Sequence, residues 1–367
     1  MPGAGAAPAD LAVAADASMR GWTDDPDRSP AVPGTRGPLE ELAAAGIEVE
    51  VAPGVEHRHG ETVHAHDHPH PHRHDRSGDH PAVGIAGAGA VGTALAVAVS
   101  RAGWPVVAVA SRDAARRERV RGLVPGVRVF AEANALLDES ELVILAVPDD
   151  AIAGVAGSLR LYGGQALVHT SGLLGAEALA GAMAAGTFAG SFHPLVSITA
   201  DVERAVADLR GATVAIEGDE ALLGLLADLA EAIGAVPARL PPGSKPAYHA
   251  AAVLAAGGLV ALLDAVAELA RGAGLDEQAA LAVYGRLVEQ TLANARALGI
   301  RAALTGPVVR GDLGTIEAHL AALAARAPGA GELYLAAARR ELALAEERGA
   351  LTPDRAERVR GLLAMRP

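Results

Sequence analysis

The sequence of 367 residues contains no cysteine. This absence excludes a disulfide framework, a thiolate nucleophile and any zinc or iron–sulfur site with cysteine ligands. The chemistry of the protein therefore depends on histidine, lysine, hydroxyl or carboxylate side chains, or on a bound cofactor.

Positive charge is also scarce. Lysine and arginine together number 31 against 44 aspartates and glutamates, which gives a formal net charge of -13. Nucleic-acid binding needs clustered positive charge opposite the phosphates, and the sequence has no basic stripe. We therefore expect no nucleic-acid partner.

No uninterrupted apolar run is long enough to cross a bilayer. The longest extends from Ala250 to Leu263 and stops at Asp264, whereas a membrane-spanning helix needs about 20 apolar residues. Near the N-terminus, Asp10 and Asp16 interrupt any signal-like stretch. The sequence predicts a soluble, cytoplasmic protein without a membrane partner.

Lysine occurs once, as Lys245 in the stretch GSKPAYHAAAV. The excess of Ala, Gly, Pro and Arg is typical of a GC-rich genome, so this lysine is an exception to a strong compositional pressure. An ammonium group kept at this one position is a candidate for function.

Residues 1–80 are rich in Ala, Gly, Pro, Asp and His without sustained periodicity, which predicts a mostly disordered, His-rich extension. Nine of the thirteen histidines fall here. The segment is either a solvated tail or a flexible chain that binds transition metals weakly. The candidate ligands are His64, His66, His68, His70, His72 and His74. We expect no metal site in the folded domains.

From Ala82 onward, short Val, Ile and Ala runs alternate with helical patterns. Continuous apolar strands between amphipathic helices are typical of a parallel sheet covered on both faces. We predict an α/β, doubly wound parallel sheet over residues 81–240. An all-helical domain for substrate binding and dimerisation follows over residues 241–367.

Helical periodicity in the C-terminal domain predicts five long helices, over about 245–271, 276–298, 313–326, 330–348 and 353–364. Ser244 is the expected N-cap of the first. Asp276 is the expected N-cap of the second, and Gly299 its expected end.

The stretch GIAGAGAVG has the G-x-G-x-x-G spacing directly after one strand and at the start of a helix. Such glycines form a tight turn, let a pyrophosphate approach the backbone and allow close strand–helix packing. This pattern predicts a Rossmann dinucleotide site formed by Gly87, Ala88, Gly89, Ala90, Val91 and Gly92.

The second strand, VVAVA, ends in Ser111 and Arg112. These side chains suit the 2′-phosphate of NADP, whereas Asp113 one residue later would suit the ribose of NAD; NADP is the favoured cofactor. After the fourth strand, LAVPDD places Val147, Pro148 and Asp149 beside the expected nicotinamide ribose.

Histidines mark a second candidate site. HTSG and SFHPL follow two successive predicted strands, at the edge where ligands bind, and KPAYH begins the first long helix. The substrate-binding candidates from the first motif are His169, Ser171 and Gly172, and the catalytic candidates are Lys245, His249 and His193.

Lys245 falls in the first turn of its helix, where the helix dipole and partial burial would lower its pKa toward a useful value for proton transfer. His249 lies four residues later, on the same helix face. Lys245 is therefore the leading candidate for a general acid.

The motifs GAGAVG, HTSG, SFHPL, K-x-x-YHAAAV and LTGPVVRGD resemble those of a family of Rossmann-like oxidoreductases with a helical C-terminal domain of unknown function. That family is related to pyrroline-5-carboxylate reductase and the 6-phosphogluconate dehydrogenase superfamily. The resemblance covers about residues 82–367. It implies an NADP-dependent, commonly dimeric reductase with a helical domain of 6-phosphogluconate dehydrogenase type and its active site between the domains.

The same resemblance assigns the proton-donor role to Lys245. His249 stands where related β-hydroxyacid dehydrogenases have an asparagine, and Gly257 and Gly258 stand where a further asparagine is expected. Arg310 in LTGPVVRGD is a candidate for holding a substrate carboxylate, or else it forms a loop clamp with Asp312.

The resemblance favours an NADPH-dependent reductase of a small, anionic 2-oxo acid, with ketopantoate as the best single substrate. Three alternatives stay open. They are an imine reductase of pyrroline-carboxylate type, a prephenate-type dehydrogenase suggested by the His193–Pro194 pair, and a non-catalytic NADP-binding or metal-handling protein.

Overall fold

A computed structural model of the protein describes residues 80–184 and 186–364. Over these residues, eight strands form one sheet. They are β1 (Val83–Ala86), β2 (Val106–Ala110), β3 (Arg128–Phe130), β4 (Leu142–Leu145), β5 (Ala166–His169), β6 (Phe188–Pro194), β7 (Thr213–Gly218) and β8 (Val236–Arg239). Residues 1–79 of the predicted extension over 1–80, with its six candidate metal ligands, lie outside the described residues.

The strand order is β3-β2-β1-β4-β5-β6-β7-β8. The first six strands pair in parallel, which confirms the doubly wound fold. The chain adds strands on one side of β1 as far as β3 and then returns to add β4 on the other side of β1. The sheet is predominantly rather than wholly parallel, because β7 runs antiparallel to β6. Buried parallel and antiparallel strands both read as apolar runs here, so the sequence gives no signal for strand direction.

Helices cover both faces of the sheet. They are α1 (Ala90–Arg101), α2 (Ala114–Leu123), α3 (Asp149–Ser158), α4 (Ala180–Met183), α5 (Val202–Leu209) and α6 (Glu220–Ala232), with 3-10 turns at Ala133–Leu136 and Ala176–Leu179. Alternate residues of the central strands enter two separate apolar clusters, as period-two side-chain alternation requires. In β4, for example, Ile144 belongs to one cluster and Leu145 to the other.

The C-terminal part is helical, as predicted. Its helices are α7 (Lys245–Val253), α8 (Leu259–Gly272), α9 (Glu277–Leu298), α10 (Ile300–Ala303), α11 (Pro307–Arg310), α12 (Leu313–Arg326), α13 (Gly331–Glu347) and α14 (Pro353–Ala364). A π-helical segment, Leu254–Gly258, joins α7 to α8, and a 3-10 turn, Pro328–Ala330, precedes α13.

The predicted boundaries of α9 are confirmed, and the predicted cap of α7 is not. The Asp276 carboxylate accepts a hydrogen bond from the N–H of Ala279 at 2.8 Å, and Gly299 ends the helix with φ of +82°. Ser244, in contrast, donates its hydroxyl proton to the carbonyl oxygen of Pro241 at 2.7 Å. It makes no capping hydrogen bond to α7, because its side chain stabilises the preceding turn instead.

Together α7, the π segment and α8 form one helix from Lys245 to Gly272. Among the described residues it is the one helix long and apolar enough to cross a membrane by length and composition, with a mean hydropathy of 2.1 over its most apolar window. Only 6% of that window is buried. The helix itself was predicted over about 245–271, but the uninterrupted apolar run did not indicate a span of this length, because Asp264 breaks the run and not the helix.

Candidate active site

Glycines form the turn between β1 and α1. Gly87 has φ of +114°, in the left-handed region that residues with a Cβ avoid. A Cβ at Gly87 would overlap the carbonyl oxygen of Ala146, and a Cβ at Gly92 would overlap the carbonyl oxygen of Gly87. Backbone approaches backbone at both positions, so the turn requires glycine there.

The N-terminus of α1 opens into a cleft of about 570 Å³ that Ala88, Gly89, Ala90 and Val91 help to line. Gly89 is the N-cap and offers no side-chain cap, so the N–H groups of the first turn keep no partner within the helix. Such donors at the positive end of a helix bind phosphate. The turn therefore fits the pyrophosphate of a dinucleotide.

Arginine side chains line the same cleft beyond β2. Arg112 and Arg116 are both exposed there, next to Ser111. Asp113 is engaged elsewhere, because its carboxylate caps α2 by accepting from the N–H groups of Ala115 and Arg116 at 2.9 and 3.1 Å. The same carboxylate pairs with the Arg116 guanidinium at 3.3 Å.

The segment after β4 divides between two sites. Val147 and Pro148 line the cleft, but Asp149 is not among its lining residues. The Asp149 carboxylate instead accepts a hydrogen bond from the Ser171 hydroxyl at 2.8 Å. Thr170, the residue before Ser171, lines the cleft. The cofactor cleft therefore meets the predicted substrate site at Thr170 and Ser171.

Lys245 is the first residue of α7, and only 1% of it is exposed. Its ammonium group donates a hydrogen bond to the carbonyl oxygen of Ser171 at 2.6 Å. Burial lowers the pKa of Lys245 to about 8, while the negative charges of Glu217 and Asp149 oppose this shift. A substrate oxygen could reach this ammonium only after the Ser171 segment or the start of α7 moves.

Two histidines converge on Gly172. A Cβ at Gly172 would lie 2.5 Å from Nδ1 of His249 and 2.8 Å from Nε2 of His193, so both ring nitrogens face the same small space. The other nitrogen of His193, Nδ1, lies 3.1 Å from the hydroxyl of Tyr248. His249 Nδ1 is buried and has no hydrogen-bond partner among the described residues.

Burial shifts the pKa values of His193 and Tyr248 in opposite directions. Burial and the positive charge of Lys245 together lower the pKa of His193 to about 4. Burial raises the pKa of Tyr248 to about 12. At neutral pH the ring of His193 is neutral and the phenol is protonated, so Lys245 is the group whose pKa best suits proton donation.

His169 has both ring nitrogens bonded within the protein. Its Nδ1 accepts from the N–H of Ser171 at 3.2 Å, so Nε2 carries the proton and donates to the carbonyl oxygen of Gly175 at 2.9 Å. The sequence predicted His169 as a substrate ligand. Neither nitrogen is left for a substrate, and His169 holds the loop from Ser171 to Gly175 in place.

The structure does not bring Arg310 to this cluster. Arg310 is exposed at the end of α11, a helix that packs against α12 and α13. Asp312 caps α12 by accepting from the N–H and hydroxyl of Thr315 at 3.2 and 2.8 Å. The predicted Arg310–Asp312 clamp is not formed among the described residues, and the contact of Arg310 with a substrate carboxylate stays a prediction.

Sequence reasoning missed three residues of these sites. Tyr248 lies three residues after Lys245, which places both on one helix face. Arg116 lies three residues after the N-cap Asp113, in the first turn beside the cleft. Glu217 is the one charge within the apolar strand TVAIEG, a pattern that indicates a buried partner.

Two family models match the sequence. A Rossmann-like domain matches residues 70–194, and a domain of unknown function, DUF2520, matches residues 212–341. No curated protein matches the sequence. The first match covers β1 to β6 with the glycine turn, and the second begins at β7 and extends into the C-terminal helices.

Solved structures share this fold. A protein from Thermotoga maritima is 27% identical, with a TM-score of 0.55, covering 72% of this chain and 99% of its own. A Bacteroides fragilis protein, provisionally assigned as an NADP oxidoreductase, is 23% identical, with a TM-score of 0.59, covering 71% and 98%. An imine reductase from a Pseudomonas species is 21% identical, with a TM-score of 0.58, covering 77% and 100%.

Proposed function

We propose that this chain, which combines a Rossmann-like domain with a DUF2520 domain, is an NADPH-dependent reductase of a small, anionic 2-oxo acid. One observation carries the proposal. The dinucleotide cleft ends at Thr170, and the next residue, Ser171, accepts a hydrogen bond from the single lysine of the chain. A proton source thus adjoins the cofactor site.

The cleft residues account for cofactor binding. The glycine turn and the N–H groups of α1 would hold the pyrophosphate. Arg112 and Arg116 would hold a 2′-phosphate, because guanidinium groups bind phosphate through paired, charge-assisted hydrogen bonds. Asp113 is occupied as a helix cap, which favours NADP over NAD. When bound, the nicotinamide supplies the reducing equivalent.

Lys245 supplies the proton. Its ammonium has three N–H donors, and Ser171 is its one hydrogen-bond acceptor among the described residues. A pKa of about 8 keeps it mostly protonated at neutral pH yet able to release the proton. The same positive charge stabilises the oxyanion that a reduced carbonyl becomes.

The charge of Lys245 also favours a carbonyl over an imine. An iminium ion is already protonated and positively charged, so a neighbouring ammonium would repel it rather than assist it. A 2-oxo acid carries a carboxylate that the ammonium attracts. The fold shared with an imine reductase nevertheless makes imine reduction the second candidate activity.

Turnover separates these candidates. Ketopantoate is the first substrate to test, with pyrroline carboxylate as the imine and a cyclohexadienol as the substrate of a prephenate-type oxidation. Oxidation of NADPH by ketopantoate supports the proposal, whereas oxidation by the imine alone supports the second candidate. Cofactor binding without any turnover would support a non-catalytic NADP-binding protein.

Cofactor preference gives a prediction about the two cleft arginines. Replacing Arg112 and Arg116 by alanine should weaken NADPH binding by about tenfold to 100-fold, because charge-assisted hydrogen bonds to the 2′-phosphate are lost. NADH binding should change little. Arg121→Ala is the matched control, since Arg121 lies on the same helix and pairs with Glu118 outside the cleft. Calorimetric titrations in which both cofactors weaken equally would contradict this assignment.

We also propose that the protein is a homodimer built on the long helix. The apolar segment Ala250–Leu263 is almost fully exposed, with Leu254 75% and Val260 67% exposed. Asp264 lies within the same helix and is exposed, and a carboxylate exposed to a bilayer core is costly. Lys245, at the start of the helix, is buried in protein. A second copy therefore suits this surface better than a membrane does.

Charged substitutions in the proposed interface should separate the dimer and halve the mass in solution. Leu254→Glu combined with Val260→Glu places charges in the interface and should convert a dimer to a monomer, because unpaired buried charges are strongly disfavoured. Light scattering after size-exclusion chromatography measures this. Met183→Glu, at an exposed apolar residue of α4, should leave the dimer intact. A native protein that already runs as a monomer would contradict the proposal.

A further inference from the structure

A row of buried polar residues crosses the sheet beside Lys245. His169 on β5 is the register partner of Ser191 on β6, and Ser191 is the register partner of Glu217 on β7. Register neighbours project to the same face of a sheet. At most 5% of each of these three residues is exposed, so a carboxyl group lies in the interior at the end of this row.

Glu217 is poorly satisfied by its neighbours. Its Oε1 receives only a long contact from the N–H of Ala176 at 3.5 Å. Its Oε2 is buried and has no hydrogen-bond partner among the described residues. A buried carboxylate in apolar surroundings is costly unless an opposite charge lies nearby. A role in packing alone would be served at lower cost by an apolar residue.

Lys245 is a second buried charge that contacts the same loop as this carboxylate. The loop held by His169 also accepts the Lys245 hydrogen bond at Ser171 and reaches Glu217 at Ala176. No ion pair between described residues joins the two side chains, so Glu217 acts on Lys245 through its field rather than through a contact. Of the charges that act on Lys245, that of Glu217 has the largest effect.

We propose that Glu217 is the positioning residue for Lys245: its buried carboxylate contacts the same loop that accepts the Lys245 hydrogen bond and is the counter-charge of the ammonium. Its importance for catalysis rests on the proposed function. The effect of the Glu217 charge on Lys245 does not depend on that function, and it can be measured without a substrate.

Other titratable groups also act on this pair. Asp149 of α3 and Glu177 of the 3-10 turn before α4 favour the charged form of Lys245. The pKa of Glu217 is raised by burial, and the charge of Lys245 opposes that shift. His169 and His193 are coupled to Lys245 as well, and burial keeps both rings neutral near pH 7. Of these three acids, Glu217 lies on a strand, whereas Asp149 and Glu177 lie on helical segments.

The single lysine makes the experiment direct. Labelling the protein with lysine that carries ¹⁵N at Nζ gives one side-chain signal, and its chemical shift against pH reports the titration of Lys245 alone. In the native protein we expect a midpoint of about 8. In Glu217→Gln, which keeps the shape and removes the charge, we expect the midpoint to fall by roughly one pH unit.

Two controls separate charge from structure. Ser191→Ala removes the neighbouring polar group of the same row and should leave the midpoint unchanged. Glu220→Gln removes an exposed acid that pairs with Arg239 and should also have no effect. A midpoint in Glu217→Gln equal to that of the native protein would overturn the proposal, leaving Glu217 as a loop contact only.

A second measurement covers the case in which Glu217→Gln does not fold. The native Lys245 signal should then show an additional, smaller inflection at acidic pH, where Glu217 titrates above the ordinary glutamate range. The inflection should persist in Asp149→Asn. Its loss in Asp149→Asn would assign the effect to Asp149, and its absence from the native titration would show that no acid acts on Lys245 in this range; either result would contradict the role of Glu217.

Discussion

Replacing Lys245 by methionine is expected to slow 2-oxo acid reduction by about two to four orders of magnitude, the usual contribution of a general acid. Methionine nearly preserves the volume of this buried side chain but has no proton to donate. Lys245→Arg should be similarly slow, because the pKa of a guanidinium stays above about 12 and its proton is not transferable. Both rates are measured from the oxidation of NADPH.

Cofactor binding is the control for these variants. NADPH affinity should be retained, since Lys245 is not among the residues that line the cleft. An imine substrate, which needs no acid and is repelled by the ammonium, should be reduced by Lys245→Met at no less than the native rate. Reduction of the 2-oxo acid by Lys245→Arg at the native rate would instead leave Lys245 as an anchor for Ser171 and make His249 or His193 the candidate acid.

Replacing Gly92 by alanine is expected to weaken NADPH binding by about 100-fold or more. The new methyl group would overlap the carbonyl oxygen of Gly87, so the turn would have to open and the N–H groups of α1 would move away from the pyrophosphate. Displacements of about 1 Å have effects of this size on aligned groups. Titration calorimetry with NADPH measures the loss.

Gly122→Ala is the matched control for Gly92→Ala. Gly122 lies in α2, where a Cβ would contact nothing within 4 Å, so affinity should stay at the native value. Circular dichroism should show that both variants are folded at the temperature of the titration. Native affinity in Gly92→Ala would mean that the cofactor does not bind at this turn.

The sheet and the helices were predictable because their signals are local. The glycine spacing requires a strand before it and a helix after it, and the structure has both, with Gly87 in the left-handed conformation. Asp276 and Gly299 bound α9 as their types predict. The direction of β7 was not predictable, because strand pairing depends on how the chain returns and not on the residues of the strand.

The candidate site was predictable in part of its membership but not in its contacts. Lys245, His193 and His249 are brought together with Ser171 and Gly172 as the motifs indicate. The contacts that define their chemistry, such as Asp149 with Ser171 and His193 with Tyr248, join distant segments. No local pattern encodes such pairs, and for the same reason Arg310 could not be separated from the site by its motif alone.

The dependence of NADPH oxidation on pH, with ketopantoate and other small 2-oxo acids as substrates, tests the central claim most directly. The account predicts turnover whose kcat/KM is nearly constant near neutral pH and falls above about pH 8, as Lys245 loses its proton. Binding of NADPH without oxidation by any of these acids, or a kcat/KM that stays constant well above pH 8, would contradict it.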